Sequence, residues 1–281
     1  MIIVGVDGSR ASHAAIEWAA DDAARTKRPL CLVHAVDRWP YQVQRFPAAP
    51  DWPDPLLRGG QKVLAEAERI ARARQPHVEV SAELREGAPA AELRERAAGV
   101  DEIVLGSRGL GGIAGAWLGS VSTHVAGQAH CPVVVVRAGQ GPVTGRIVVG
   151  VDDSPECEPA LEYAFAQAVL RGATVHAVHG WQLPNRLHAP ELSIDMDEIR
   201  TAQHQVVTDR LAALKEKCPQ VEVVEHLQFE HPVDALSRAS AEADLVVVGS
   251  RGRGAVGSVV LGSVSRGVLH HARCAVAVVR S

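Results

Sequence analysis

Short apolar runs alternate along the chain with longer segments in which apolar residues recur at helical spacing. The first run, Met1–Asp7 (MIIVGVD), is rich in β-branched residues and ends at a polar break, which is typical of a strand buried on both faces. The alanine-rich segment Arg10–Lys27 has apolar residues three and four positions apart. It predicts a helix that Ser9 can cap at its N-terminus.

The rest of the first half continues this alternation. It predicts strands at Leu30–Val36, Val78–Leu84, Glu102–Gly106 and Pro132–Arg137, and helices at Gln61–Arg74, Pro89–Ala98 and Ser120–Ala129. The proline-rich residues 40–55, together with Trp39 and Trp52, predict an irregular excursion. The second half predicts strands near 147–152, 174–179, 221–228, 244–249 and 275–280.

The chain is a tandem duplication of one domain. IIVGVDGS (Ile2–Ser9) returns as IVVGVDDS (Ile147–Ser154), and HAVDRW (His34–Trp39) returns as HAVHGW (His176–Trp181). The window Gly106–Arg137 returns without a gap as Gly249–Arg280, with more than half of its positions identical. The repeat is far longer than the 20–50 residues of solenoid repeats. We therefore predict two domains, residues 1–138 and 146–281, joined by the glycine-rich linker Ala138–Gly145.

Strands that alternate with helices predict an α/β fold of two tandem doubly wound domains. Each would be a five-stranded parallel sheet with helices on both faces, in the Rossmann-like manner. Ligands bind such sheets beyond the carboxyl ends of the strands, where the strand order reverses. The ends of strands one and four carry Asp7-Gly8-Ser9 and a glycine-rich loop, so a site is expected there.

The loop Gly106–Ser120 (GSRGLGGIAGAWLGS) has chemistry suited to phosphate. Glycine lets a ligand approach the backbone, and a helix N-terminus offers free N–H groups. Ser120 can cap the helix or donate to a phosphate oxygen. The alternative is a flexible loop with a Gly-Ser helix cap. Both copies keep the same spacing of the marked residues, which are Gly106, Gly109, Gly119 and Ser120, and Gly249, Gly252, Gly262 and Ser263.

Two standard phosphate motifs do not account for this loop. A P-loop ends in GK[ST], whereas both loops here end in LGS without lysine. The string GxGxxG occurs at Gly252–Gly257, but no acidic residue follows from Ser258 to Ser281. A dinucleotide fingerprint needs one about 20 residues further on.

The constellation resembles the universal stress protein family, whose nucleotide-binding members carry Gly, two residues, Gly, nine residues, Gly, then Ser or Thr. Both halves match this pattern, VGVDGS at the first strand matches as well, and the resemblance covers essentially the whole chain. It implies an adenine nucleotide hydrolase-like fold that binds ATP, with or without Mg²⁺, once per half. It also implies a cytoplasmic regulatory role in stress adaptation or dormancy.

The resemblance also implies which residues bind the nucleotide. Asp7 and Asp152 match an acid expected near the ribose or a phosphate-bound metal, and a turn or capping role is the alternative. Ala35 and Ala177 lie where the family reads adenine through its backbone. Arg108 and Arg251 either neutralise phosphate or are ordinary loop arginines. The other implied cofactor-binding residues are Gly8, Ser9, Gly106, Gly109, Gly119, Ser120, Val121, Ser122, Ser154, Gly249, Gly252, Gly262, Ser263, Val264 and Ser265.

The two halves differ near the implied phosphate site. Glu230-His231-Pro232 replaces Gly87-Ala88-Pro89, a loop that matches the family, and Asp153 replaces Gly8. Both changes add acid, so weaker nucleotide binding is predicted in the second half.

Composition argues against several other classes of protein. The 281 residues include 47% hydrophobic and 22% charged residues with a net charge of −4, so no basic field favours nucleic acid. The apolar runs are too short to span a membrane, and the N-terminus lacks the basic start of a signal peptide. The five cysteines form no CxxC pair and predict reduced thiols. The 13 histidines show no metal-ligand spacing.

Three hypotheses about the activity and partners of the chain stay open. The first is an ATP-binding regulatory protein whose hydrolysis, if any, is slow. The second is an enzyme of the same fold that adenylates a substrate or cleaves ATP. The third is an interaction module without nucleotide. The aliphatic last strands would be exposed edges, and the resemblance implies that the two halves pair through them and that whole chains form a homodimer.

Overall fold

A computed structural model describes residues 1–37, 54–110, 118–139, 141–155, 157–183, 195–252 and 261–280. It divides into two compact units, Met1–Gln140 and Gly141–Ser281. Trp39, Trp52, most of the proline-rich excursion, the middle of both glycine loops and all but the first residue of the GxGxxG string lie outside the described residues.

The first unit is a doubly wound parallel sheet. Its elements are β1 (Ile2–Gly5), α1 (Arg10–Thr26), β2 (Leu30–Val36), α2 (Pro55–Arg74), β3 (Val80–Glu86), α3 (Pro89–Glu95), β4 (Glu102–Gly106), α4 (Ser120–Gln128) and β5 (Val133–Val136). All pairings are parallel in the order β3-β2-β1-β4-β5. Helices α1 and α2 pack together on one face, and α3 and α4 pack together on the other.

The second unit repeats this arrangement. Its elements are β6 (Arg146–Gly150), α5 (Cys157–Arg171), β7 (Thr174–Gly180), α6 (Met196–Lys217), β8 (Val223–Gln228), α7 (Pro232–Ala239), the 3₁₀ turn Ser240–Glu242, β9 (Leu245–Gly249), α8 (Ser263–His271) and β10 (Ala275–Val279). Its parallel order is β8-β7-β6-β9-β10. The predicted fold class is therefore confirmed.

The element boundaries follow from local sequence signals. Ser9 caps α1 as predicted, because its side chain accepts from the Ser12 N–H at 3.1 Å. Helix α2 begins at Pro55, earlier than the predicted Gln61, because Asp54 caps it and proline suits the first helical position. The side chain of Asp54 accepts from the Leu56 N–H at 2.9 Å.

The core of each unit is aliphatic. The central strands β1, β4, β6 and β9 bury their valine, leucine and isoleucine side chains almost completely. Such strands need helices on both faces, and the helices are rich in alanine, which lets them approach the sheet closely. In both units the strand order reverses between the first and fourth strands, and the carboxyl ends at such a reversal are where doubly wound sheets bind ligands.

Candidate functional site

The first unit brings the ends of β1 and β4 together. The two carboxylate oxygens of Asp7 accept from the backbone N–H groups of Ser9 and Leu110, each at 3.0 Å. The Ser9 hydroxyl donates to the backbone carbonyl of Arg108 at 3.0 Å. Asp7 and Ser9 therefore hold the beginning of the glycine loop against the turn after β1.

Two glycines in this loop are required by close packing. A Cβ at Gly106 would lie 2.6 Å from the carbonyl carbon of Ala11 and 2.7 Å from the backbone nitrogen of Ser12. A Cβ at Gly109 would collide with the Asp7 carboxylate. The spacing of these two glycines is thus explained by contacts with α1 and Asp7.

The far end of the loop is fixed at the start of α4. The Gly119 N–H donates to the Ser107 carbonyl at 2.7 Å, which closes the loop on itself. The predicted capping role of Ser120 is wrong. Gly119 is the N-cap with extended backbone, Ser120 is already helical, and no side chain caps α4.

Within the part of the chain that the structure describes, the first turn of α4 consequently has backbone N–H groups that no side chain caps. The first N–H groups of a helix have no partner within it, and Gly119 supplies no side chain to satisfy them. Ser120 is exposed, Val121 is half-buried, and the buried Ser122 donates to the Gly106 carbonyl at 2.8 Å. This donation holds the helix N-terminus, with the positive end of the helix dipole, beside the end of β4.

The second unit builds the same arrangement from its own residues. Gly262 is the uncapped N-cap of α8, and its N–H donates to the Ser250 carbonyl at 2.9 Å. Ser263 is exposed, Val264 is half-buried and Ser265 donates to both Ser250 and Gly262 carbonyls. Here too the expected serine cap is a glycine cap.

The turns after β1 and β6 differ. Gly8 has φ +81°, a conformation that favours glycine. Asp153 stands at that position in the second unit and does not share it, since Lys27 is the only non-glycine residue with positive φ in the described part of the chain. Ser154 accordingly donates to Asp152 at 2.5 Å, whereas Ser9 donates to the loop. A Cβ at Gly252 would lie 2.8 Å from the Asp152 carboxylate, so that glycine keeps its packing role.

The strand registers correct one predicted residue pair. Gly5 pairs with Val33 and Gly150 pairs with Val178, so His34 corresponds to His179 and not to His176. The match of HAVDRW with HAVHGW is therefore out of register by three residues. Ala177 is fully buried in the middle of β7 and cannot have the role predicted for the half-buried Ala35. Gly180 occupies that position.

His34 and His179 were missed in the sequence as site-supporting residues. Nδ1 of His34 lies 2.6 Å from the Val6 carbonyl, and Nδ1 of His179 lies 2.7 Å from the Val151 carbonyl. Since a carbonyl only accepts, each ring donates at Nδ1 and so holds the backbone just before Asp7 or Asp152. A histidine near the end of each second strand was the available signal.

The other residues predicted to lie near the sites differ in exposure and in contacts. Arg108 is exposed, while Arg251 and Gly249 are half-buried. Glu230, the extra acid of the second half, forms an ion pair with Arg238. The described residues contain no group of three or more metal-ligating side chains. No helix in the described ranges is long and apolar enough to cross a membrane.

The thiols are expected to differ in reactivity. Burial raises the pKa of Cys131 to about 12 and that of Cys157 to about 11, and it raises the pKa of Cys31 as well. Thiolate is the reactive form, so at about pH 8 iodoacetamide should modify the half-buried Cys218 first. Mass spectrometry of native and urea-unfolded protein checks this. Equally fast modification of Cys131 in the native protein would contradict it.

The fold and the paired loop ends define a tandem doubly wound α/β protein with a glycine-rich loop at each reversal of strand order. The Universal stress protein family matches residues 1–137 and 144–280, and the chain belongs to that family.

Universal stress proteins of other organisms match this chain over nearly its full length. Universal stress proteins of Mycobacterium bovis and Mycobacterium tuberculosis are each 36% identical over 290 residues, covering 99% of this chain and 96% of theirs. The crystal structure of a universal stress protein from Archaeoglobus fulgidus has a TM-score of 0.72 at 22% identity, covering 99% and 98% of the two chains. A universal stress protein in complex with cAMP aligns with 49% of this chain at 28% identity and a TM-score of 0.37.

Proposed function

We propose that each unit binds an adenine nucleotide, with ATP as the expected ligand, and that the chain acts as a regulatory protein in stress adaptation. The observation that carries this proposal is the uncapped N-terminus of α4, which lies beside a glycine loop held by Asp7. Helix N-termini of this kind bind phosphate through free N–H groups and the helix dipole. The same elements recur at α8.

The residues present fit a phosphate chain. The N–H groups of Ser120, Val121 and Ser122 would hold phosphate oxygens, and Gly109 and Gly119 leave the backbone accessible. Asp7 has both oxygens engaged with backbone N–H groups, so it positions the loop. Mg²⁺, where it accompanies ATP, would neutralise phosphate charge. The site proposed in the second unit would use Asp152, Gly252, Gly262 and Ser263.

Three further parts of the proposal rest on the sequence. The five free thiols support the predicted cytoplasmic location. The homodimer stays a prediction, which sedimentation measurements on the whole chain would check. The pairing of the two last strands also stays a prediction. The chain is proposed to sense ATP, and the competing enzyme hypothesis requires turnover.

The proposal is tested by identifying and titrating the nucleotide. Mass spectrometry of ligand released from denatured protein should reveal an adenine nucleotide. Calorimetric titration of the nucleotide-free full chain with ATP should show two sites, with GTP as the control for base selectivity and cAMP as the control for the phosphate chain. Absence of binding at millimolar ATP would refute the proposal. Steady release of AMP or pyrophosphate would favour the enzyme hypothesis.

A further inference from the structure

The second unit contains a cavity that is separate from the glycine-loop site. It has a volume of about 310 Å³ and lies between α7 and the strands β6, β7 and β8. Its polar lining includes Arg146, His176, His226, Arg238 and Glu242, and its apolar lining includes Val148 and Ala239. Arg146 begins β6, and Glu242 ends the 3₁₀ turn. One side of the cavity therefore lies near the amino ends of the strands, away from the loops that follow β6 and β9.

The first unit shows why the cavity exists. The registers Leu30–Val80 and Val175–Val223 place Cys31 and Glu83 where the second unit has His176 and His226. Arg96, seven residues after the proline that begins α3, corresponds to Ala239, seven residues after the proline that begins α7. Arg96 forms an ion pair with Glu83. The second unit lacks this guanidinium, and the cavity takes its space.

The replaced residues also change the charge of this region. Met1 and Glu95 of the first unit correspond to Arg146 and Arg238 of the second. Arg146 contacts Glu242 at 2.6 Å, and Arg238 contacts Glu230 and Gln228. A guanidinium has five N–H groups, so these contacts use only part of the donor capacity of each arginine. The lining of the cavity in the second unit thus has two arginines, Arg146 and Arg238, and one carboxylate, Glu242, where the first unit has two carboxylates, Glu83 and Glu95, and one arginine, Arg96.

The two histidines of this cavity are in direct contact. Nδ1 of His176 lies 2.9 Å from Nε2 of His226, and the rings are stacked with an angle of 14° between them. Burial lowers the pKa of His176, His226 and Arg146 lower it further, and Glu222 and Glu242 oppose them. Arg238 faces the same cavity from α7. An anion in the cavity would stabilise the protonated form of the histidine pair. The pair would therefore take up a proton when the anion binds.

We propose that this cavity binds a small oxyanion, a phosphate or carboxylate group, between Arg146, Arg238 and the His176–His226 pair. Guanidinium groups bind both anions through charge-assisted hydrogen bonds. The apolar floor at Val148 and Ala239 admits a short hydrocarbon body on the anion. This site is independent of the proposed nucleotide sites.

The test follows the imidazole NMR signals of His176 and His226 in the full-length protein. Inorganic phosphate and acetate are titrated separately at about pH 5.5 and about pH 8, around the ordinary histidine pKa, with chloride at matched ionic strength. We expect saturable shifts for at least one anion. For acetate, which is mostly ionised at both pH values, binding should be tighter at the lower pH by up to about tenfold per pH unit, because at most one proton is taken up by the pair. Phosphate itself loses a proton in this range, so its pH dependence combines the two titrations. Response to acetate identifies a carboxylate site, and response to phosphate alone identifies a phosphate site.

Matched variants decide whether the signal comes from this cavity. His226→Glu combined with Ala239→Arg rebuilds the ion pair of the first unit and should abolish the saturable shift of His176. Arg146→Met, which introduces the residue of the first unit, should weaken binding about tenfold, the effect of losing one charged hydrogen bond. Absence of a shift with both anions overturns the proposal. Retention of the shift in the double variant, or unchanged affinity in Arg146→Met, overturns it as well.

Discussion

Replacing Gly106 with alanine is expected to destabilise the first unit by about 3 kcal/mol, which is the upper range for overpacking. The added Cβ would lie 2.6 Å from the Ala11 carbonyl carbon and 2.7 Å from the Ser12 nitrogen. These are backbone atoms at the start of α1, so no side-chain rotation can relieve the contact. Helix α1 must shift, and Ser9 and Asp7 would shift with it.

Hydrogen exchange of β1 and α1 peptides during urea unfolding measures this loss in the first unit alone. A local measurement is needed because a chain of two units need not unfold in one step. Gly59→Ala is the matched control. Gly59 lies within α2 with nothing within 4 Å of its Cβ position, so alanine should stabilise the unit by about 0.5–1 kcal/mol. Equal stability of Gly106→Ala and the native protein would show that the close packing at Gly106 is unimportant.

The main features of this fold could be predicted from apolar periodicity and the repeat. Strands such as Leu30–Val36 and Glu102–Gly106 are buried on both faces, so continuous apolar runs mark them clearly. Strand β3 is less clear. It was predicted at Val78–Leu84 and runs over Val80–Glu86, because it is an outer strand with mixed polar residues and pairs only with β2.

The sequence could predict that the glycine loop and the turn at Asp7 come together, but not the role of each side chain. Glycine spacing indicated the loop, yet its cause is contact with Ala11 and Asp7, which are distant in sequence. Ser120 looked like a cap because serine is a common N-cap. The extended conformation of Gly119 moves the cap back by one residue.

The error at Ala177 has a similar origin. Identical letters in HAVDRW and HAVHGW suggested an alignment, while hydrogen bonding between strands sets another. Within an aliphatic strand, a repeated tripeptide is weak evidence for how the two halves align. The structurally equivalent residues are His34 and His179, and they share a contact to the carbonyl of the residue before the aspartate.

Replacing Gly119 with glutamate is expected to weaken ATP binding at the first proposed site by about 100-fold, since a like charge at a binding site costs several kcal/mol. The variant should fold, because the new Cβ would lie 3.5 Å or more from its neighbours. A carboxylate also suits a helix N-terminus. Calorimetric titration with ATP measures the loss. Gly119→Ala adds the Cβ without the charge and should bind nearly as the native protein does.

Gly262→Glu is expected to cost less of the total ATP affinity, because the second site is predicted to be the weaker one. Of the two extra acids in that unit, Glu230 is paired with Arg238, so its charge is partly offset. Asp153 is exposed and replaces Gly8 in the turn after the first strand, next to Asp152, and we propose its charge as a cause of the weaker binding. Asp153→Asn removes the charge and should strengthen the second site by about threefold, as expected for a screened surface charge. Equal losses from Gly119→Glu and Gly262→Glu would contradict the predicted difference between the sites, and an unchanged second site in Asp153→Asn would contradict its cause.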